Sequence, residues 1–346
     1  MKSRKQKDKL PRWQREQRTR KLTFFKRLFK TLFLIIFFLA MTFLIFKFWQ
    51  AMRVSRFAGK DRVTFVFSAE NIFVISLDPK EGKMMMIKIP PETQIDVAHG
   101  YGKYRAGAVY KLGEEEKIGG GKILAESVQE YMGIVIDGYL RAPEAIWILG
   151  VGSEEELGRI DFTFKKKMSQ FRGFIKILGG NFETNFSKFD LIKIWREILK
   201  VRPDRVVFVD LAQSFVSWET VLPDGQKSYE VEPEMLEQIV KKNFLDEKIR
   251  EENFLVEVTN TTLHSKLADK AARILTNIGV DVVAVSETEE KLLSCQVVTD
   301  KKFKNSYTVK KIRRIFDCHF REGEIGGRAD ITVKIGEDYY KKLNLK

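Results

Sequence analysis

Residues 31–46, TLFLIIFFLAMTFLIF, carry no charge, and the thirty residues before them hold thirteen Lys or Arg against two acids. Extended from Thr31 to Trp49, with Lys30 and Lys47 snorkelling at its ends, this stretch makes nineteen residues. That is roughly the length needed to cross a hydrocarbon core of about 30 Å. The run is longer than the apolar core of a signal peptide, and no small-x-small pattern follows it before Arg53, so an uncleaved anchor is expected. Lys and Arg are retained on the cytoplasmic side, and thirteen precede the run against Lys47, Arg53, Arg56, Lys60 and Arg62 just after it. The expected layout is a basic cytoplasmic tail over 1–30, a transmembrane helix over 31–49, a stalk over 50–62, and extracytoplasmic domains beyond, all at the cell membrane.

The same tail explains the net charge. Of +14 in total, residues 1–30 supply eleven, and the remaining 316 residues carry only +3. A basic tail beside an apolar run serves topology and attraction to anionic lipid, so no nucleic-acid partner is expected. Two cysteines, Cys295 and Cys318, are too few for a disulfide framework and lack metal-ligand spacing. Sequence leaves open whether they pair, because a bridge depends on a Cα separation that only the fold supplies. His99, His264 and His319 are scattered, form no triad or zinc set, and are each expected at the surface or half-buried.

From Val63 the pattern alternates, in RVTFVFS, NIFVISLDP and KMMMIKIP, each bounded by turn residues, which reads as three strands with the latter two in a hairpin. Gly119-Gly120-Gly121 opens an amphipathic helix with Leu124, Val128, Tyr131 and Met132 on one face and Gly133 at its end. IWILGVGSEEELGRIDFTF reads as two strand-like pieces around an exposed loop at Gly150–Gly158. Ser187 and Asp190 form a capping-box start for a helix whose face holds Leu191, Trp195 and Ile198, and the strand RVVFVDL follows. A charged helix, EPEMLEQIVKKNFLDEKIREEN, leads to a fresh pattern of strand, helix, strand, strand, helix and strand. In its first helix Leu267, Ala271, Leu275 and Ile278 face inward, and Gly279 caps the end. The class is α/β: a larger domain over 63–244, a linker at 245–253, and a small βαββαβ domain over 254–346.

VEVTNTTLHSKLADKAARILTNIGVDVVAV and ADITVKIGEDYY resemble the LytR C-terminal domain of cell-envelope proteins over 254–340, with Thr261, Leu263 and Lys266 where that family usually has glycines. Over about 63–244 the chain resembles the LytR-CpsA-Psr (LCP) family of membrane-anchored glycopolymer transferases. The residues that carry this are NIFVISLDPKEGKMMMIKIPPET, GYGKYRAGAVY, GGGKILAESVQEYMGIVIDGYLR, TNFSKFDLIKIW and LPDGQKSYEVEPEMLEQIVKKNF. The resemblance implies transfer of an anionic glycopolymer from a polyprenyl-pyrophosphate carrier onto peptidoglycan, assisted by Mg²⁺. Such chemistry needs carboxylates for the metal and guanidinium forks for the pyrophosphate.

Here the chain departs from its relatives. The family's Arg-Ser-Asp is Ser68-Ala69-Glu70 and its Pro-Arg-Asp is Pro90-Pro91-Glu92, so both aspartates have become glutamates and both arginines are gone. The arginines that usually line the carrier site have no counterpart between Leu149 and Thr184. The resemblance therefore leaves Glu70 and Glu92 as candidate metal ligands and Lys103 and Arg105 as candidate replacements for the lost positive charge. GGGK at Gly119–Lys122 lacks P-loop spacing and reads as helix opening and tight packing. Three functions follow from this pattern: a binding or accessory role in wall or surface-glycopolymer assembly, an active metal-dependent phosphotransferase, and an interaction scaffold. Transcriptional regulation is disfavoured, because the expected topology separates the folded body from DNA.

Overall fold

Strand alternation decides the architecture of the larger domain, because the sheet must bury both faces. The computed structural model describes residues 29–39, 41–43, 46, 57, 59, 61–69, 71–141, 183–212, 217–221, 225, 227–323, 325 and 327–343. Residues up to Ser55 and residues from Arg56 onward form two units. In the first, 29–39 and 41–43 are helical and exposed. Among the described residues no helix is long and apolar enough to cross a membrane, so the expected span over 31–49 is not established by the structure. The pieces expected around Gly150–Gly158 lie outside the described residues.

In the second unit, β1 (Val63–Ser68), β2 (Ile72–Asp78) and β3 (Lys83–Ile89) form the antiparallel centre of a six-stranded sheet. β6 (Gly138–Arg141) adds parallel to β1, β7 (Glu183–Thr184) antiparallel to β6, and β8 (Val206–Asp210) parallel to β3. Val66, Ile72, Val74, Met85, Ile87 and Ile89 point to one face. There they meet α1 (Ala106–Glu115), α2 (Gly120–Met132) and α4 (Pro233–Phe244). Phe65, Phe67, Phe73, Ile75, Leu77 and Met86 point to the other and meet α3 (Lys188–Lys200) and Phe57. The period of two thus builds three layers, helix on sheet on helix.

The capping box of α3 is formed as expected: the Ser187 hydroxyl accepts from Asp190 N–H at 3.1 Å and the Asp190 carboxylate accepts from Ser187 N–H at 3.1 Å. Asp190 is fully buried and also accepts from Phe57 N–H, so its charge is spent on backbone donors. Between β3 and α1 lies a short hairpin absent from the sequence reading, β4 (Gln94–Val97) with β5 (Gly102–Arg105). A ribbon of β9 (Ser217–Val221) and β10 (Lys227–Val231) leads into α4. The charged helix expected as one piece is two, because Leu245 is extended and Asp246 caps a second helix, α5 (Glu247–Glu252), by accepting from Lys248 N–H.

The C-terminal sheet has the order β12-β11-β15-β13-β14, built from β11 (Leu255–Asn260), β12 (Asp281–Glu287), β13 (Gln296–Thr299), β14 (His319–Glu322) and β15 (Ile331–Ile335). Against one face pack α6 (Leu267–Asn277), α7 (Tyr307–Phe316) and α8 (Glu337–Leu343), enclosing Val256, Val258, Ala271, Leu275, Val297, Ile312, Val333 and Tyr339. The expected βαββαβ order is corrected at two points: β14 intervenes between α7 and β15, and α8 follows β15. β14 is a four-residue edge strand, HFRE, without apolar alternation, so its pairing with β13 comes from tertiary context. Cys295 and Cys318 are buried and joined by a disulfide with Cα atoms 4.5 Å apart, which ties the starts of β13 and β14 together.

Within the compact unit from Arg56 onward, the two sheets and the helices packed on them are joined through polar groups. Arg273 of α6 donates to the Glu130 and Tyr131 carbonyls at 2.7 and 3.0 Å and pairs with Glu237 of α4. Asn277 donates to the Gly133 carbonyl at 2.9 Å, and Lys270 pairs with Glu130 at 2.7 Å. These donors satisfy carbonyls at the end of α2 that no helical N–H can reach, with positive charge at the negative end of the helix. On another side Arg314 pairs with Asp61 at 3.1 Å and the Tyr307 hydroxyl donates to Asp246 at 2.7 Å. Burial pushes the neighbouring Lys311 ammonium down, against the opposing pull of Asp137, Asp246 and Asp61.

Glu252, at the end of α5, caps α7 by accepting from Tyr307 and Thr308 N–H, both at 2.7 Å. Burial pushes its carboxyl up, but those hydrogen bonds and Lys310 outweigh it, and it sits below the usual range. A depressed carboxyl contributes stability above its unfolded pKa and loses it as pH falls through the lower folded value. Glu252→Gln should therefore cost about 1 kcal/mol at neutral pH, and the difference from wild type should begin to shrink as pH falls below about 4.3, the unfolded glutamate value, and disappear as it passes through the lower folded value. Urea titrations of both proteins across pH check this, and a difference that persists unchanged into acid would exclude the charge as its source.

Candidate functional site

The turn Pro90–Thr93 carries Glu92, and the backbone around it is fully engaged. Thr93 N–H donates to the Pro90 carbonyl at 3.0 Å, Ala106 N–H to Thr93 at 2.8 Å, and Gly107 N–H to Pro91 at 2.9 Å. The Glu92 carbonyl accepts from the Ser228 hydroxyl at 2.8 Å and from Tyr229 N–H at 3.3 Å. Gly107 is required by close approach, since a Cβ there would lie 2.8 Å from Cβ of Pro91. The turn is therefore fixed between the start of α1 and β10, with the half-buried Glu92 side chain at its corner.

The hairpin that follows carries Lys103 and Arg105 on β5, opposite Asp96 and Gln94 of β4. Two residues apart on a strand, they lie on the same face, Lys103 exposed and Arg105 half-buried. The fold thus brings Glu92, Lys103 and Arg105 onto one continuous turn and hairpin. Glu70, the other candidate ligand, lies outside the described residues.

His99, expected at the surface or half-buried, is instead buried at the hairpin tip. It holds φ +67°, the left-handed region that His tolerates better than most residues. Its Nε2 lies 2.8 Å from the Glu126 carboxylate on α2, and next to it Ala98 N–H donates to the Ser127 hydroxyl at 3.0 Å. These contacts fasten the tip of the hairpin to α2. No spacing in the sequence marks the pairing, because it spans 27 residues and depends on a single unusual backbone angle.

Behind the hairpin, the N-terminus of α2 is occupied by the chain itself. Glu114 accepts from Gly120 N–H at 2.5 Å. A Cβ on Gly120 would lie 2.5 Å from the Tyr110 carbonyl oxygen, and one on Gly121 would run into the Tyr139 ring. Packing therefore accounts for Gly120 and Gly121, and a φ of +97° for Gly119. Nearby the Tyr110 hydroxyl donates to Glu183 while the Arg141 guanidinium stacks over the Tyr110 ring at 3.4 Å. Burial, and then the hydrogen bond to Glu183, push the Tyr110 hydroxyl up, so it serves as a donor and not as an ionised base.

Chemically, the turn and hairpin offer two cationic side chains, Lys103 and Arg105, beside two carboxylates, Asp96 opposite Lys103 and Glu92 at the turn, so the charges balance locally and any anion would have to be held by the two cations against them. Among the described residues no group of three or more His, Cys, Asp or Glu could hold a metal ion. Glu92 by itself supplies one of the several oxygen ligands that Mg²⁺ needs, and Glu70, the other candidate ligand, lies outside the described residues.

The chain matches no protein-family model and no curated protein. Solved structures with some likeness include B. subtilis TagT, at 14% identity and TM-score 0.38 over 54% of this chain and 91% of that one. B. subtilis TagV shows 16% identity and TM-score 0.38 over 52% of this chain and 94% of that one. The LytR-CPS2A-psr family protein YwtF (TagT), solved with bound octaprenyl pyrophosphate lipid, shows 15% identity and TM-score 0.38 over 53% and 89%. Likenesses of this degree carry no argument about the function of this chain.

Proposed function

We propose that the chain is a membrane-anchored extracytoplasmic protein of cell-wall or surface-glycopolymer assembly, in which the larger domain binds and does not transfer. The observation that carries the reading is the Cys295–Cys318 bridge: both cysteines of the chain are consumed in one buried disulfide, the chemistry of an oxidising compartment. That supports the topology expected from the basic tail and the apolar run 31–46. The glycopolymer comes from the sequence resemblance over 63–244 and 254–340. Binding is favoured over transfer because the arginine positions are lost, while Lys103 and Arg105 keep positive charge on a hairpin next to Glu92.

The test is binding of a polyprenyl-pyrophosphate glycan to the full chain in neutral detergent, with and without Mg²⁺. The binding reading expects affinity to fall about tenfold or more in Lys103→Gln/Arg105→Gln, as for lost charged hydrogen bonds, and to be indifferent to Mg²⁺ and to Glu70→Ala/Glu92→Ala. Mg²⁺-dependent binding lost in the glutamate variant would instead establish the phosphotransferase alternative. Absence of any binding would leave the interaction scaffold.

A further inference from the structure

The body of the protein is almost neutral, yet its charge is unevenly placed. From Arg56 to the end there are 46 Lys or Arg against 45 Asp or Glu, whereas residues 301–314 hold seven Lys or Arg and no acid. Three of the seven are spent on structure: Lys311 lies among Asp137, Asp246 and Asp61, Arg314 pairs with Asp61, and Arg313 donates to the Cys318 carbonyl. The other four, Lys301, Lys302, Lys304 and Lys310, are exposed. Lys301, Lys302 and Lys304 lie on one turn with Phe303, and Lys310, in the α7 helix that follows, reaches back to donate to the Asn305 carbonyl at 2.7 Å.

Their placement works against the local fold. The turn leads directly into the N-terminus of α7, whose first turn contains no acid of its own and whose leading N–H groups are taken by Glu252. Cations belong at the other end of a helix. The ion pairs available are loose and solvated, Lys301 to Glu322 at 3.9 Å and Lys302 to Asp300 at 3.4 Å, and such pairs contribute little. Lys304 rests over the half-buried Phe320 ring at 5.2 Å, which holds its ammonium up at the surface. Lys310 helps hold the Glu252 carboxylate and Lys302 the Asp300 carboxylate, but the return to the fold is small for four exposed cations, and charges with little structural return are where function is to be sought.

We propose that this lysine turn of the C-terminal domain binds a flexible polyanion with repeating phosphates. Lysine supplies mobile point charges and no rigid fork, and a solvated turn without a pocket suits a chain of phosphates whose counterions are released on contact. A discrete phosphate monoester would need converging donors that the turn lacks. This inference does not depend on the role of the larger domain, since it uses none of the residues of the β4–β5 hairpin.

The probes are poly(glycerol phosphate) and inorganic polyphosphate, titrated against the full chain in neutral detergent at several salt concentrations. The variant Lys301→Gln/Lys302→Gln/Lys304→Gln/Lys310→Gln is compared with Lys83→Gln/Lys111→Gln/Lys227→Gln/Lys241→Gln, which removes the same charge from exposed positions elsewhere. Both retain the basic tail, so its contribution cancels. At about 0.7 per phosphate contact, the dependence of log affinity on log salt should flatten by roughly two to three in the first variant and stay near wild type in the second. Lys→Arg at the four positions should restore it, which separates lost charge from a damaged fold. Equal losses in both variants, or no loss in the first, would overturn the proposal. So would a requirement for the four lysines that is seen with anionic phospholipid vesicles and not with either polymer.

Discussion

Replacing both Cys295 and Cys318 by Ser should cost about 3 kcal/mol, because the bridge closes a loop with a sequence separation of 23 residues. The loop spans α7, so the reduced chain must order an entire helical crossover before β14 can find β13. β14 has little else to hold it: four residues, a single pairing partner, and an outer edge. The loss should therefore be concentrated in β14 and the turn around Asp317. Amide exchange should rise first at His319–Glu322, and thermal unfolding should move down by on the order of 10 °C. Scanning calorimetry with and without reductant, on wild type and the double serine variant, measures it. A shift of less than a degree would mean that the buried core around Phe316 and Val297 fixes β14 without help from the bridge.

The second large effect is expected at Arg273. Its guanidinium serves three acceptors, the Glu130 and Tyr131 carbonyls and the Glu237 carboxylate. Arg273→Ala would leave helix-end carbonyls and a carboxylate without their donor, and charged hydrogen bonds of this kind contribute about 2–3 kcal/mol. The side chain keeps 37% of its surface exposed, so water recovers part of that loss and the lower figure is expected. More telling than the magnitude is its form. With the clasp intact the two domains should melt together, and without it calorimetry should resolve two transitions. A single transition merely displaced to lower temperature would show that the contacts of Arg314, Tyr307 and Asn277 suffice to couple them.

Elements with regular patterning were legible in the sequence. Ser187 and Asp190 announced α3, and the spacing of Leu267, Ala271, Leu275 and Ile278 gave the buried face of α6, because each signal is local and each has one geometric solution. β14 was not legible, since an edge strand reading HFRE takes its conformation from the neighbour it pairs with. The break between α4 and α5 carried a local signal, the N-cap residue Asp246, but the run of charged residues on both sides reads as one helix. Lys266 holds φ +66°, a left-handed conformation that glycine would adopt without strain, and nothing in its side-chain type marks that in the sequence. In the candidate site, Lys103 and Arg105 were found as charges, but the hairpin that sets them on one face was not, and neither was the burial of His99 against Glu126. The disulfide could only be left open, because it required the 4.5 Å approach that β13 and β14 create.

Gly133 gives the domain contact a hereditary aspect. It closes α2 at φ +62°, and a Cβ on it would stand 2.8 Å from Arg273 Nε and 2.9 Å from Asn277 Nδ2. Any side chain at this position is strained in its own helix cap and also presses on the neighbouring domain. A missense allele in the first domain would thus have its compensating alleles in the second, at 273 and 277. Positions 133, 273 and 277 are therefore bound to change together, although the first lies 144 residues before the last in the chain.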